Sequence, residues 1–143
     1  MLTIERTVRV AAPPERILDL VGDVANLPGL CPSALQVTRV RPLPAGGHHC
    51  HFSYALGGRV VEGDADTIEL VGNRKLVDRL TGGVDGVLEW AVRPHNGTTE
   101  VGIRLAYVPA RDVLARIGEP ELRTRNEHEA ESVLASLKAL LER

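Results

Sequence analysis

Aromatic side chains are scarce in this sequence, which has one Phe, one Trp and two Tyr among its 143 residues. Cysteines are scarcer still. Cys31 and Cys50 form neither a CxxC motif nor a paired framework, which excludes a disulfide scaffold and makes a reducing cytoplasm the default. The formal net charge is only −2 and no Lys/Arg run occurs, so the electrostatic footprint of a partner nucleic acid or of an anionic membrane is missing. No uninterrupted apolar stretch approaches the ~18 residues of a membrane span, so no integral membrane association is expected. The opening residues Met1–Arg6 lack the apolar region of a signal peptide, and a cytoplasmic protein is expected. There is no internal repeat, no low-complexity linker, no GxSxG, no P-loop and no dinucleotide fingerprint, and no cofactor is expected. What is present is ordinary globular material, 43% hydrophobic and 25% charged. Such a length suits one domain, residues 1–143, able to bury about two-thirds of its unfolded surface.

Turn punctuation supplies the architecture. Leu2, Ile4, Val8 and Val10 alternate with Thr3, Glu5, Thr7 and Arg9, as in a half-buried strand. Ala12-Pro13-Pro14-Glu15 stops that strand, and Pro14 suits the first turn of a helix reaching Gly22, with Ile17, Leu18 and Val21 as its stripe. A second short helical piece, Asp23 to Leu27, ends at Pro28-Gly29. Strands are then expected over about 34–41, 47–56, 59–71, 74–81, 86–95 and 98–108, separated by Gly- and Pro-containing turns. A long helix closes the chain, from Pro120 to Glu142, with Ala130, Val133, Leu134, Leu137, Leu140 and Leu141 at spacings of three and four.

Hairpin register tests the reading. With Asn96 and Gly97 as the central turn residues, Val92 faces Val101, Trp90 faces Ile103, Leu88 faces Leu105 and Gly86 faces Tyr107. The opposite face pairs Arg93 with Glu100 and Glu89 with Arg104. Directly opposed residues share a face, so this segregation is what a correct register yields. A hairpin centred on Gly57-Gly58 likewise places Phe52 opposite Gly63, Tyr54 opposite Val61 and Cys50 opposite Ala65, with His49 opposite Asp66 and His51 opposite Asp64 on the other side. A two-residue turn at Gly82-Gly83 would put Leu76 and Leu80 on the wrong face relative to Trp90, so a longer loop or a bulge is expected within Gly82–Gly86.

The result is an α+β protein in which a curved seven-stranded antiparallel sheet wraps a long C-terminal helix, with two short helices after the first strand. Such a sheet presents more apolar area than one helix, ~10–12 Å wide, can fill. Few aromatics and several small residues, Gly63, Ala65 and Gly86, make filling harder still, which favours a cavity. Its expected walls are Phe52, Tyr54, Leu88, Trp90, Ile103, Leu105 and Tyr107 on the sheet, facing Val133 and Leu137 on the helix.

The segment from Ile4 through Ala12-Pro13-Pro14-Glu15 to Ile17 resembles the opening of START-like (SRPBCC) polyketide cyclases and coenzyme-Q-binding proteins. So do Val21-Gly22-Asp23 and the following Leu27-Pro28-Gly29-Leu30-Cys31-Pro32-Ser33. The Asn96–Val101 hairpin and Leu134-Ala135-Ser136-Leu137-Lys138 are similar to the last hairpin and the closing helix of that superfamily. The resemblance covers essentially the whole chain and implies a helix-grip fold with a ligand tunnel between sheet and long helix. One departure is Leu30-Cys31-Pro32 where many members carry Trp, which counts against the aromatic polyketide cyclases specifically. The Leu-Pro…Cys-Pro segment also resembles a small subunit associated with carbon-monoxide-dehydrogenase maturation.

Three polar residues sit where the patterns ask for apolar ones. Arg6 lies in phase with Ile4 and Val8, Asp78 with Leu76 and Leu80, and Asn126 one turn before Ala130. Either local twist turns them outward, or they form the polar end of the ligand site, Arg6 as a clamp for an anion or carbonyl and Asp78 as orienter or base. His49 and His51 with Asp64 or Asp66 would supply a ligand set for a metal. That face is the polar one, however, and with Gly72-Asn73 as a two-residue turn Asp66 is also expected opposite Arg79, so solvated cross-strand pairs free of metal are expected instead. Cys50 is read as a packing residue, His95 as a turn residue and His128 as solvent-facing. The expected function is to bind a small, mainly apolar partner molecule such as a lipid, isoprenoid or polyketide-like compound. The alternatives are a cyclase or dehydratase acting on such a ligand, or a complex-associated factor of the coenzyme-Q-binding type. Nothing in the sequence opposes a homodimer.

Overall fold

The computed structural model describes residues 1–33, 35–56 and 58–143. The expected start of the second strand at Ala34, and Gly57 of the expected Gly57-Gly58 turn, lie outside the described residues. The chain runs β1 (Leu2–Val10), α1 (Pro14–Gly22), a 3₁₀ segment (Val24–Gly29), β2 (Gln36–Pro42), β3 (His48–Leu56), β4 (Arg59–Val71), β5 (Lys75–Gly82), β6 (Asp85–His95), β7 (Thr98–Val108), α2 (Arg111–Ile117) and α3 (Glu119–Leu141). The strands form one antiparallel sheet in the order β1-β7-β6-β5-β4-β3-β2, with the helix-grip arrangement of a long final helix lying over it. Local signals explain the breaks. Pro14 opens α1, the Asp23 side chain accepts the Ala25 amide to start the 3₁₀ segment, and Asn96 and Gly97 turn β6 into β7 at positive φ (47° and 85°).

The registers follow the sequence with two instructive adjustments. β6 and β7 pair Trp90 with Ile103 and Leu88 with Leu105, and β3 and β4 pair Phe52 with Gly63 and Cys50 with Ala65. Between β5 and β6 the longer loop brings Leu76 opposite Trp90, on its face. The β4–β5 connection takes three residues, Gly72–Arg74, rather than two, and an irregularity between Thr67 and Glu69 absorbs the extra step, so Asp66 still faces Arg79. Expected ion pairing is kept at Arg93–Glu100 (2.6 Å), whereas Glu89 turns from Arg104 to Lys75 (3.5 Å).

The sequence pattern gave no sign of α2. It is seven residues long and is separated from α3 by Gly118, whose φ of 81° breaks the helical path. Along α3, Leu122, Ala130, Val133, Leu134, Leu137 and Leu141 are buried, while Leu140, expected on the stripe, is 37% exposed. The helix is also stitched to the edge strand β1. Arg123 donates to the Thr3 carbonyl (3.1 Å) and Lys138 to the Arg9 carbonyl (2.8 Å), while Glu142 accepts the Ala11 amide (2.9 Å). Apolar packing falls into two clusters. One joins α1 and the C-terminal half of α3 to Val10, Trp90, Val92 and Val101; the other joins Leu2, Phe52, Leu56 and Tyr107 to Val113 and Leu122. Among the described residues no helix is long and apolar enough to cross a membrane.

Candidate functional site

Between sheet and helix lies a cavity of about 190 Å³. Its sheet wall carries Phe52, Tyr54, Leu88, Trp90, Ile103, Leu105 and Tyr107, and its helix wall carries Asn126, Glu129, Ala130 and Val133. Leu88, Ile103 and Leu105 are only half-buried although they sit in the centre of the sheet, because their inward side chains face open space. Gly63 does not contribute a void. The ring of Phe52 lies over it, so that a Cβ there would meet Cζ at 2.9 Å and the Thr81 carbonyl at 2.5 Å. Phe52 and Tyr54 stack with ring centroids 6.2 Å apart and form one continuous aromatic wall.

One polar row crosses this concave face. His48 on β3, Thr67 on β4 and Asp78 on β5 are in register, in phase with Cys50, Ala65 and Leu80. The His48 ring donates Nε2–H to Asp78 Oδ2 (2.9 Å), and the Thr67 hydroxyl donates to Oδ1 (2.9 Å) while accepting the His48 amide (3.0 Å). His48 and Asp78 are 5% and 6% exposed, and Asp78 lines the cavity. Sequence reasoning found Asp78 but missed its partners. The signal was present, since His48 alternates with Cys50 and Phe52, but the His49/His51 pair drew the reading to the other face.

The hydrogen bond to Asp78 holds His48 above the ordinary value of 6.5, opposed by burial. The folded state therefore keeps this proton longer than the unfolded chain does. The stabilisation is complete below about pH 6.5 and is lost as pH rises through the raised folded-state value. Across that window the melting temperature of the wild type should decline more steeply than that of a His48→Leu/Asp78→Leu double variant. Parallel profiles would show that the fold does not raise the affinity of His48 for its proton.

At the helix side, Tyr107 donates its hydroxyl to Asn126 Oδ1, and Glu129 accepts from the Ser33 hydroxyl and the Cys31 thiol (3.3 Å). Glu129 also faces an open outer groove lined by Pro32, Ser33, Arg125 and His128, so its contacts with Cys31 and Ser33 form the wall between groove and cavity. Glu129 was not singled out in the sequence, although it follows Asn126 by three and precedes Val133 by four, the spacing of the inward stripe. Burial lifts the Cys31 thiol to about 12 and the Cys50 thiol to about 11, each with help from neighbouring carboxylates, so neither is a thiolate nucleophile at neutral pH. Burial also raises Tyr107 to about 12, and raises Tyr54.

Two expected wall residues lie elsewhere. Arg6 keeps the inward phase of β1, but β1 is the edge strand beneath α3, and the guanidinium reaches Glu127 (2.9 Å) and Glu131 (3.3 Å) outside the cavity. Leu137 is fully buried in the cluster with α1, one turn beyond the end of the open space. On the outer face His49 donates to Asp66 (2.6 Å) and His51 to Asp64 (3.2 Å), as cross-strand neighbours.

The family described as polyketide cyclase / dehydrase and lipid transport matches residues 1–142. Among solved structures, a START superfamily protein from Mycobacterium smegmatis superposes with a TM-score of 0.81 at 16% identity, covering 98% of this chain and 97% of that one. A protein of Thermus thermophilus gives 0.79 at 16% identity, with 99% and 97% covered. The Zhui aromatase/cyclase from Streptomyces sp. R1128 gives 0.68 at 19% identity, with 99% and 94% covered. No curated protein matches the chain in sequence.

Proposed function

Since the chain belongs to the polyketide cyclase / dehydrase and lipid transport family, we propose that it binds a small, mainly apolar molecule, of lipid, isoprenoid or polyketide-like character, between the sheet and α3. As part of the same proposal, residues 1–143 act as one domain in the cytoplasm. The observation that carries this reading is the apolar cavity held open between two packed clusters, a form suited to enclosing a ligand in a preformed site. A carrier of this kind gains affinity chiefly from apolar area removed from water, about 25 cal/mol per Å².

Trp90 is the only tryptophan and lines the cavity, so it reports occupancy directly. Titration with the neutral apolar probe N-phenyl-1-naphthylamine should change Trp90 emission saturably, and native mass spectrometry of the purified protein should find a co-purifying small molecule. A flat titration together with a ligand-free mass would reject the reading. Arg6→Met should leave the titration unchanged, because the Arg6 side chain serves α3 and not the cavity. Asp78 favours a second reading, a cyclase or dehydratase acting on the same ligand, since a carboxylate oriented by two donors on a cavity wall is placed to accept a proton.

A further inference from the structure

We propose that the His48–Thr67–Asp78 row is a subsite for a ligand O–H or N–H donor, so that the molecule held here is neutral and hydroxyl-bearing rather than a carboxylate. This inference rests on the proposed ligand cavity and names the chemistry of its occupant.

A carboxylate offers about four acceptor positions. Among the described residues two side-chain donors meet Asp78, one on each oxygen, Thr67 on Oδ1 and His48 on Oδ2. Thr67 comes from the neighbouring strand β4 and His48 from β3, the strand beyond it. Each oxygen thus has one partner, and the remaining lone pairs belong to a residue that is 6% exposed and lines the cavity, where a carboxylate gains from a further donor. A donor carried by the ligand satisfies them. The row is also stiff. Thr67 is fixed by the His48 amide, and the Asp78 oxygens are fixed by Thr67 and the His48 ring, so the acceptor is pre-oriented and little freedom is lost on binding.

Charge then sets the selectivity. Among the described residues the cavity wall includes two carboxylates, Asp78 and Glu129, and no Lys or Arg. The expected cationic clamp, Arg6, is engaged by Glu127 and Glu131 outside it. The His48 ring is already turned to Asp78 through Nε2. An anionic headgroup entering this space would meet the Asp78 and Glu129 carboxyl groups and no Lys or Arg, whereas a phenol or alcohol would find an acceptor in Asp78. A hydrogen bond to a charged group favours the donor over a ligand of the same shape without one by about tenfold or more.

Three probes of one shape separate the alternatives: 2-naphthol, its methyl ether 2-methoxynaphthalene, and 2-naphthoate, each titrated against Trp90 emission. Wild type should bind 2-naphthol about tenfold more tightly than the ether, and the naphthoate most weakly. In Asp78→Asn the ratio of ether to naphthol dissociation constants should fall severalfold. In His48→Leu/Asp78→Leu, which leaves no unpaired buried charge, it should fall to about one or below. The ratio cancels changes in general affinity. Equal binding of naphthol and ether by wild type, a ratio unchanged in both variants, or tightest binding of the naphthoate would each overturn the subsite while leaving the cavity reading intact. If none of the three binds, the cavity reading fails and the subsite with it.

Discussion

At pH 6, below the ordinary histidine value that the fold raises further, Asp78→Leu is expected to cost about 3–5 kcal/mol of folding stability, because it strips a buried imidazolium of its counter-charge. His48 is 5% exposed, and its only side-chain partner among the described residues is the Asp78 carboxylate. Removing that carboxylate leaves two poor options for the ring, a charge retained without a partner or a proton surrendered in place. Replacing His48 with Leu as well should recover most of the loss, since two apolar groups of suitable size need no compensation. Urea unfolding at pH 6 reads the difference as a midpoint shift at constant slope. Equal losses in the single and double variants would show that the two residues are not coupled and that Asp78 is costly to remove for another reason.

Leu137→Ala comes second in expected effect, at about 2–5 kcal/mol. Leu137 is 0% exposed and fills the wedge where α3 meets α1 and the sheet, in contact with a cluster that includes Ile17, Val21 and Trp90. Leu140, three residues later on the same helix, is 37% exposed, and Leu140→Ala should cost about 1 kcal/mol or less. The same change in the same helix removes propensity from the comparison, so the difference between the two midpoints isolates burial. A Leu137→Ala variant no less stable than Leu140→Ala would mean that α3 is rotated about its axis relative to the sheet.

The contrast between those two leucines also shows how far the sequence could be read. Spacings of three and four placed both on one stripe, yet Leu137 and Leu141 are buried in the cluster with α1 while Leu140, at the margin of the stripe, is turned outward. Strand registers were legible because turn residues and face segregation constrain each other, as at Asn96-Gly97. At the β4–β5 connection the expected two-residue turn was wrong by one residue, and the irregularity near Ile68 hid the error by restoring the register before Asp66. Seven-residue α2 has too few turns to show a period. Arg6 marks a different boundary. Alternation fixes the phase of a side chain but not what lies above it, and above Arg6 lies the acidic flank of α3 rather than the cavity. Other residues placed by phase do line the cavity, among them Phe52, Trp90, Tyr107, Asp78 and Asn126. His48 and Thr67 were equally available by phase, but their meaning emerges only when three strands are aligned at once.

A sheet with two free edges can grow by accepting strands from other molecules, and a fold built to hold apolar material would be exposed to that fate whenever concentrated. Here the side chains of Arg123 and Lys138 occupy the outward carbonyls of Thr3 and Arg9 along β1, where a visiting strand would dock. At the opposite edge, β2 breaks register between Thr38 and Arg41 with Arg39 at a φ of 54°, which spoils the regular repeat of donors and acceptors. The long helix thus serves as a selvedge as well as a lid. Truncation before it would bare the β1 edge along with the cavity, leaving backbone groups there open to pairing with a second strand.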